Sequence, residues 1–350
     1  MTTFSLKNDN TEWSYSPFKI SNNTLRKKIE EYRYEIFYKN NFNDWVSNFA
    51  LNLEHIWNEL SASELDPTPS SKKTLNNKSC IIIGSGPSAK KHKHLELLSA
   101  SDYNGSILCT DDSLVRSLKA GITPVKFPNF YVTTIDPFSR QQAYYDDPII
   151  NEFGNKIKGI FSTITHPSVL ERARESGIKI HWLHTLFDYD KGKKSFNHIS
   201  SMMVRAKNHV NGLPAIQTGG NVGTSSWFVA WRILKNNTVA LIGINHGWEE
   251  EEKASEMIKS HQSEITKDNV EIVREDDPKY KNYFKKIHNP DFNCDAIVDP
   301  LYQFYRMALL EFISRSPSWL TTINATEGGS IFGKRIESMK FRDFLKNHQD

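Results

Sequence analysis

From residue 78 onward, short apolar segments alternate with amphipathic segments whose apolar residues recur at helical spacing. The apolar segments include SCIIIGS, SILCTDD, FYVTTIDP, KIKGIFSTIT, GIKIHWLH and TVALIGINH. Strands that are apolar on both faces and separated by helices are typical of a mostly parallel sheet covered on both sides. The sequence therefore predicts an α/β fold built on a doubly wound sheet.

Four regions follow from the composition along the chain. Residues 1–77 are predicted to form an N-terminal helical extension, with helical spacing over 22–62 and a polar linker, DPTPSSKKTLNN, at its end. Residues 78–248 are predicted as the main domain, and residues 301–350 complete it with a helix and the segment INATEGG. Residues 249–300 are charged and poorly periodic, which is typical of a solvated insertion or of a mobile lid.

Composition excludes several classes of protein. Hydrophobic residues make up 38% and charged residues 24%, and no apolar run approaches the ~20 residues that cross a bilayer. The start, MTTFSLKNDN, has no basic segment followed by an apolar one, so we expect no secretory signal there. Three scattered cysteines are too few to predict a disulfide framework. The net charge of +3 is spread along the chain, without the basic stripe of a nucleic-acid binder. We expect a cytoplasmic protein with no membrane span and no nucleic-acid partner, and a homo-oligomer is left open.

A glycine turn follows the first apolar strand of the main domain. Glycines let the backbone approach a ligand closely, and a helix beginning after the turn presents unpaired N–H groups to phosphate. The turn lacks the Walker A pattern but matches G-x-G-x-x-A, which also permits an NAD or flavin site or a turn without ligand. The predicted phosphate cradle consists of Gly84, Ser85, Gly86, Pro87 and Ser88.

Acidic and amide side chains stand at the ends of neighbouring predicted strands. They are Asp111, Asp112, Asp136 and Asn245. Ligands of doubly wound sheets bind at the carboxyl ends of the strands, so we expect these side chains to border one pocket. Carboxylates that face phosphates need a cation between them, and Mg²⁺ is the usual one. Taken singly, each aspartate is also compatible with a helix N-cap or an Asx-turn.

Two later segments carry similar residues. QTGGNVGTSSWFVA places Gly220, Asn221, Gly223 and Thr224 just before a predicted helix, which indicates a second anion cradle. TINATEGGSIFG brings Asn324 and Glu327 together with glycines near the C-terminus. For the proton of an acceptor hydroxyl, an aspartate or His246 is a candidate base.

The order of these blocks resembles the MptE-like family, the archaeal-type 6-hydroxymethylpterin diphosphokinases. The same domain occurs in motility accessory proteins thought to glycosylate flagellins. The resemblance rests on GSGPS after an apolar strand, on DDSLVRSLKAGITP, on a strand ending in IDP, and on the later blocks GGNVGTSSWFVAWRILKNNTVALIGINHGW and INATEGGSIFG. It covers residues 78–248 and 318–335 and implies a Rossmann-like domain that binds a nucleotide.

The resemblance implies one of two reactions. In the pterin branch, diphosphate passes from ATP to the hydroxymethyl group of 6-hydroxymethyl-7,8-dihydropterin, with Mg²⁺. In the motility branch, a nonulosonic sugar passes from a CMP-linked donor. The partners in either case are a small-molecule nucleotide and a hydroxyl-bearing acceptor. A minimal pterin enzyme lacks the N-terminal region and the charged insertion, so both branches stay open, as do an NAD- or FAD-binding oxidoreductase and a non-catalytic nucleotide-binding protein.

The resemblance also implies roles for individual residues. The turn from Gly84 to Ser88 would contact nucleotide phosphate. Asp111 and Asp136 would be the catalytic carboxylates and the ligands of the metal. The segment from Gly220 to Thr224 would form the second wall of the site.

Overall fold

A computed structural model describes residues 5–8, 11–14, 42–66, 78–186, 195–206, 209, 212–251 and 284–348. The predicted helical residues 22–41 and most of the predicted linker lie outside these ranges. No helix among the described residues is both long enough and apolar enough to span a bilayer.

Fifteen strands lie within the described ranges. They are β1 (Ser5–Asn8), β2 (Thr11–Ser14), β3 (Leu60–Ser61), β4 (Ser79–Ile83), β5 (Ser106–Thr110), β6 (Phe130–Thr134), β7 (Lys158–Ser162), β8 (Lys179–Thr185), β9 (Ala215–Ile216), β10 (Thr238–Ile242), β11 (Trp248–Glu249), β12 (Lys285–Asn289), β13 (Cys294–Val298), β14 (Thr321–Asn324) and β15 (Ile336–Ser338). The six strands predicted from apolar segments of the sequence are β4 to β8 and β10.

Ten α-helices are described between and around the strands. They are α1 (Phe42–Asn58), α2 (Ser88–Lys91), α3 (His94–Ser99), α4 (Asp111–Lys119), α5 (Pro148–Phe153), α6 (Pro167–Glu175), α7 (Phe196–Arg205), α8 (Val222–Phe228), α9 (Pro300–Ser314) and α10 (Phe341–Asn347). A π-helical turn, Val229–Ile233, extends α8.

The central sheet is parallel and doubly wound. Its strands lie in the order β15-β14-β10-β4-β5-β6-β7-β8-β3, and β9 pairs separately with β8. Every pairing in this sheet is parallel. From β4 the chain builds the sheet in one direction through β8 and then returns to place β10 on the other side of β4. The strand order therefore reverses between β4 and β10, which is where such sheets bind ligands.

The sheet separates two hydrophobic cores. Side chains alternate along each strand, so Ile81 and Ile83 enter one core and Cys80 and Ile82 enter the other. The first core contains side chains of α1, α4, α6 and α10, whereas the second contains those of α8 and α9. Burial on both faces explains why these strands are nearly unbroken apolar runs.

The N-terminal segment contributes directly to this sheet. Helix α1 is tied to the loops after β6 and β7 because the amide of Asn48 donates to the carbonyls of Pro137 and Ile164, at 2.9 and 3.0 Å. Strand β3 then forms the edge of the sheet beside β8. Helix α1 and strand β3, both in the region predicted as an extension, thus belong to the main core and sheet. Strands β1 and β2 lie in the same predicted region but pair with each other in a separate antiparallel sheet.

The predicted insertion, 249–300, and the C-terminal region, 301–350, contribute to different sheets. Strands β11, β12 and β13 form a small antiparallel sheet at the two ends of the predicted charged insertion. Residues 252–283 lie outside the described ranges, and so does the lid predicted there. Strands β14 and β15, from the C-terminal region, extend the central sheet beyond β10.

The helix predicted after the first glycine turn is interrupted. It forms two short pieces, α2 and α3, because Lys93 adopts a left-handed conformation with φ of 54° between them. Helix α2 has only four residues. The helix dipole behind the first glycine turn is therefore weak, and it contributes little to binding an anion there.

Candidate functional site

A cavity of about 710 Å³ opens at the carboxyl ends of the strands, where the strand order reverses. Its wall includes the first glycine turn, which begins at Gly84, and a second glycine turn, which begins at Gly220. The ends of β5, β6 and β10 and the start of α9 complete the wall. The predicted site residues in this wall are Gly84, Ser85, Gly86, Pro87, Asp111, Asp112, Asp136, Gly220, Asn221, Gly223 and Asn245. The structure thus brings eleven of the fifteen predicted residues together.

The first glycine turn is packed tightly against the end of β10. The N–H of Gly84 donates to the carbonyl of Ile242 at 2.9 Å, and the N–H of Gly86 donates to that of Gly243 at 2.8 Å. These two donors are therefore occupied by the protein itself. Within the described residues, the N–H of Ser85 has no acceptor, and Ser85 lines the cavity, so this donor remains for a ligand.

Ser88 lies behind the turn rather than in the cavity wall. Its side chain is fully buried, and its hydroxyl donates to the Oδ1 atom of Asn245 at 2.8 Å. The amide of Asn245 in turn donates to Glu249 at 3.1 Å. The side chain of Ser88 therefore positions the turn, and Asn245 links it to the end of β10.

Asp111 is the most buried carboxylate of the cavity wall. Its side chain begins α4 and is only 3% exposed. Oδ1 accepts the N–H of Asp112 at 3.0 Å, whereas Oδ2 is buried and accepts no hydrogen bond from the described residues. Burial raises the pKa of Asp111 well above its usual value, and the charges of Asp112 and Asp136 raise it further. The Asp112 N–H and the nearby Thr134 hydroxyl, which is bonded to Tyr145, oppose this rise in pKa.

Asp112 joins the first glycine turn to β5. Its Oδ2 accepts a hydrogen bond from the Ser85 hydroxyl, and its Oδ1 accepts one from the Thr110 hydroxyl at 2.5 Å. Thr110 is the residue at the N-cap of α4, so neither Asp111 nor Asp112 acts as the cap. The N-cap interpretation of these two aspartates is therefore wrong.

Asp136 follows β6 and has a neighbour that the sequence did not single out. The side-chain amide of Gln141 donates to its Oδ2 at 3.3 Å. Gln141 lies in the 3-10 helix Ser139–Tyr145, lines the cavity and is 3% exposed. No sequence signal pointed to Gln141, because it stands five residues after Asp136 in a segment without helix or strand periodicity.

The second glycine turn leads into a well-capped helix. Asn221 is the N-cap of α8, and its Oδ1 accepts the N–H of Thr224 at 2.8 Å. Thr224 itself is buried behind the wall, where its hydroxyl accepts a bond from the Asn221 amide at 3.0 Å. Within the described residues, the N–H groups of Val222 and Gly223 have no acceptor, and both residues line the cavity. With its π-helical extension this helix is the longer of the two that follow glycine turns, so its N-terminus is the stronger anion site.

His246 stands beside the second turn. Its Nε2 lies 3.4 Å from Oδ1 of Asn221, an acceptor, so Nε2 carries the proton. Nδ1 is buried and has no donor among the described residues. Burial, followed by the charge of Arg306, lowers the pKa of His246 to about 3. The imidazole is therefore neutral at physiological pH.

Aromatic side chains make up much of the remaining wall. Trp248 and Tyr302 pack edge to face with ring centroids 4.5 Å apart, and Tyr305 lies 6.1 Å from Tyr302. Elsewhere in the wall, the guanidinium of Arg140 lies 4.6 Å from the centroid of the Phe138 ring. Such rings provide stacking surfaces for a planar heterocycle.

Two predicted site residues lie away from the cavity and have structural contacts instead. Asn324 is fully buried, where its amide donates to the carbonyl of Ile331 at 2.6 Å. Glu327 accepts the N–H of Phe341 at 3.0 Å and lies 3.3 Å from Nε2 of His94. These contacts hold the C-terminal segment in place and do not reach the cavity wall.

The donor set of the cavity fits a hard divalent cation with few protein ligands. Among the described residues, no three His, Cys, Asp or Glu side chains form a metal-binding group. Asp111 and Asp136 nevertheless lie close enough to repel each other electrostatically, and Oδ2 of Asp111 has no donor in the described part of the chain. Mg²⁺ typically binds one or two carboxylates and completes its shell with phosphate oxygens and water.

Comparisons with known proteins agree with this architecture. The family model described as "6-hydroxymethylpterin diphosphokinase MptE-like" matches residues 47–251, which is more than half of the chain. A search of curated proteins finds no match.

Among solved structures, the fold resembles that of the MAf glycosyltransferase from Magnetospirillum magneticum AMB-1, with a TM-score of 0.52 at 14% identity. The likeness covers 85% of this chain but 41% of the other, so this chain spans about two fifths of the length of that protein. At that identity the likeness shows a shared fold alone. On the family match over residues 47–251, the chain belongs to the MptE-like family.

Proposed function

We propose that this chain is a nucleotide-dependent transferase that moves diphosphate from ATP to the hydroxyl of 6-hydroxymethyl-7,8-dihydropterin or a related acceptor. One observation carries the proposal. Two glycine turns and the carboxylates of Asp111, Asp112 and Asp136 line a single cavity at the reversal of the strand order. The cavity therefore combines donors for phosphate with carboxylates for a cation or a proton, which phosphoryl transfer requires.

The phosphates would bind at the N-terminus of α8. The N–H groups of Val222 and Gly223 have no acceptor in the described part of the chain, and the helix dipole favours an anion there. The N–H of Ser85 would supply a further donor from the opposite turn. The family description supports ATP as the donor, because a diphosphokinase takes its diphosphate from a nucleoside triphosphate.

The proposed reaction is a single displacement at the β-phosphorus of ATP. The acceptor hydroxyl oxygen forms a bond to the β-phosphorus of ATP, and the bond from that phosphorus to the oxygen shared with the α-phosphate breaks. AMP leaves with that oxygen, and the acceptor gains the diphosphate. The hydroxyl proton passes to an oxygen base, for which the carboxylate of Asp136 is the candidate in the cavity wall, since Oδ1 of Asp111 already accepts the N–H of Asp112.

Asp111 and Asp136 are also the proposed ligands of Mg²⁺. When bound, the ion would offset the negative charge of the phosphates next to these carboxylates. Positioning would come from the protein, since α1, β4 and β10 fix the walls of the cavity before any ligand binds.

Transfer of a sugar from a CMP-linked nonulosonic donor is the second candidate. It is supported by the likeness to a glycosyltransferase fold, which extends over more of this chain than the family match does. In that reaction the acceptor oxygen bonds to the anomeric carbon, and the bond from that carbon to the CMP phosphate oxygen breaks. CMP leaves with that oxygen, and the acceptor's hydroxyl proton passes to a carboxylate of the cavity wall. The same two turns would hold the single phosphate of CMP.

A ligand panel separates these reactions from the remaining alternatives. We expect ATP with Mg²⁺ to raise the melting temperature, and we expect AMP to form only when reduced hydroxymethylpterin is added. CMP release from a CMP-linked nonulosonic sugar, without pterin turnover, would instead establish the second candidate. Stabilisation by NAD or FAD alone would overturn both transferase proposals. Binding of a nucleotide without turnover of either substrate pair would indicate a non-catalytic protein.

The phosphate position has a sharper test in Val222→Pro. Val222 is the first residue of α8, where proline is well tolerated, and the extended conformation of Asn221 (φ −152°, ψ 157°) suits a residue before proline. The substitution removes one N–H from the proposed phosphate site, and we expect nucleotide affinity to fall by about 10-fold or more. Val222→Ala keeps the N–H and serves as the control. Equal affinities of the two variants would exclude α8 as the phosphate site.

A further inference from the structure

Asp136 orients the side-chain amide of Gln141 and leaves its carbonyl oxygen without a hydrogen-bond donor among the described residues. Its Nε2 donates to Oδ2 of Asp136 at 3.3 Å, which assigns the amide nitrogen to that side. Oε1 is buried and accepts no hydrogen bond from the described residues. The residue is 3% exposed and lines the same cavity wall as Asp111 and Asp136.

Asp111 has the same deficiency. Its Oδ2 is buried without a donor in the described part of the chain, although Oδ1 is satisfied by a backbone N–H. Two buried oxygen acceptors in the cavity wall that also contains Asp136 therefore lack a hydrogen-bond donor among the described residues. Leaving a buried acceptor unsatisfied costs on the order of 1–3 kcal/mol, and more when the group is charged.

A divalent cation removes this deficiency better than a hydrogen bond from a neighbouring side chain. A small hard cation contacts oxygen at about 2.0–2.1 Å, closer than the nitrogen or oxygen atom of a hydrogen-bond donor, and it satisfies several acceptors at once. Carboxylate and amide carbonyl oxygens are the ligands that such cations prefer. Glutamine supplies a ligand without adding a third negative charge to a buried site.

We propose that Oε1 of Gln141, Oδ2 of Asp111 and the carboxylate of Asp136 together form an oxygen-only site for a divalent cation. The proposal deepens the proposed function, because it adds Gln141 as a third protein ligand to the two proposed carboxylates. Asp112 is not a ligand, since both its oxygens are engaged by the hydroxyls of Ser85 and Thr110. The remaining positions of the cation are left for water or phosphate oxygens.

Mn²⁺ alone, followed by electron paramagnetic resonance of the free ion, tests the site without nucleotide or turnover. The full chain should bind one Mn²⁺. Gln141→Met keeps the length of the side chain and removes the oxygen, and we expect it to weaken Mn²⁺ binding about 10-fold. Gln141→Glu replaces the amide by a carboxylate, and we expect it to bind Mn²⁺ more tightly than the native protein.

Asp146→Asn is the matched control for charge. Asp146 lies five residues beyond Gln141, is exposed, and pairs with Arg172 at 3.2 Å away from the cation site. Its loss of one negative charge should leave Mn²⁺ affinity unchanged, whereas Asp111→Asn should weaken it at least 10-fold. Should Gln141→Met fail to fold, the tighter binding expected of Gln141→Glu still tests the assignment.

Each outcome distinguishes this inference from the proposed function. Native affinity in Gln141→Met, or weaker binding in Gln141→Glu, would remove Gln141 from the site and leave the nucleotide proposal intact. No Mn²⁺ binding by the native chain, with or without ATP, would overturn the cation site altogether. Mn²⁺ binding that follows the expected order, combined with no binding of ATP or CMP, would support the site and contradict the proposed function.

Discussion

The hydroxyl of Ser88 donates a 2.8 Å hydrogen bond to Oδ1 of Asn245 and so locks the first glycine turn to the end of β10. Gly86 packs against the same atom, since a Cβ on Gly86 would lie 2.2 Å from Oδ1 of Asn245 and 2.6 Å from the carbonyl oxygen of Gly243. A side chain at position 86 would therefore prevent the residues after β4 from packing against the residues after β10. The first role of this glycine is to permit that close contact.

Gly86→Ala is expected to destabilise the fold. The added methyl group meets backbone as well as a side chain that is held by two hydrogen bonds, so neither neighbour moves without cost. Overpacking of this kind costs about 1–3 kcal/mol, which chemical denaturation would measure as a lower free energy of unfolding. Gly328→Ala is the control, because among the described residues its Cβ would have one close neighbour, Oε1 of Glu249 at 3.2 Å. Equal stability of the two variants would contradict this account of Gly86.

Asp111→Asn is expected to stabilise the ligand-free protein. Because the pKa of Asp111 is raised in the folded state, folding favours the protonated carboxyl, and ionisation destabilises the native state as the pH rises above the ordinary value of 3.8. The neutral amide resembles the protonated form, so we expect a gain of about 1–3 kcal/mol in the free energy of unfolding at neutral pH.

The stability difference between Asp111→Asn and the native protein should depend on pH, and this dependence is the control. At pH values below 3.8 the carboxyl is protonated in both the folded and the unfolded protein, so the native protein and Asp111→Asn should converge in stability. Thermal unfolding of both proteins across the acidic range would measure the convergence. A variant less stable than the native protein at neutral pH would show that the carboxylate is well satisfied in its cavity.

The strands of the main domain could be predicted from the sequence because burial on both faces leaves a local signature. Ile81 to Ile83 and Val239 to Ile242 are continuous apolar runs for that reason. Side chains that directly follow such runs, including Asp111 and Asp136, could be assigned to the cavity edge because parallel strands end on one side of the sheet.

Other parts of the site depend on contacts between distant segments. The N–H groups of Gly84 and Gly86 donate to the carbonyls of Ile242, at the end of β10, and of Gly243, the residue after it. These acceptors lie far along the chain, so no local sequence pattern indicates the bonds. Gln141 enters the wall through a 3-10 helix without periodicity. Asn324 and Glu327 looked like site residues because a glycine-rich polar turn has the same composition whether it binds a ligand or caps a packed segment.

Glu327→Gln is expected to lower stability without changing nucleotide affinity. The His94 side chain and the Phe341 N–H stabilise the Glu327 carboxylate and hold its pKa below the ordinary value against the effect of burial. Loss of the charge weakens both contacts, and we expect a decrease of about 1 kcal/mol in the free energy of unfolding. Calorimetric titration with ATP or CMP would measure the affinity. A large loss of affinity at constant stability would place Glu327 in the site after all.

His246 is expected to stay neutral down to about pH 4. Its pKa in the folded state is lowered to about 3 by burial and by Arg306, whereas an unfolded histidine titrates near 6.5. Between these values the unfolded chain holds a proton that the native protein does not. The free energy of unfolding should therefore fall as the pH drops below 6.5, by up to about 1.4 kcal/mol for each pH unit.

His246→Asn isolates this contribution from the carboxylates that titrate in the same range. Asparagine tolerates the left-handed backbone at this position, where φ is 42°, and it does not titrate. As the pH falls from 6.5 to 4, the free energy of unfolding of the native protein should therefore decrease relative to that of His246→Asn. The imidazole proton resonances of His246 should meanwhile keep their neutral positions in NMR spectra over that range. A titration midpoint near 6.5 in the folded protein would show that water reaches the ring and that Nδ1 is not a buried acceptor.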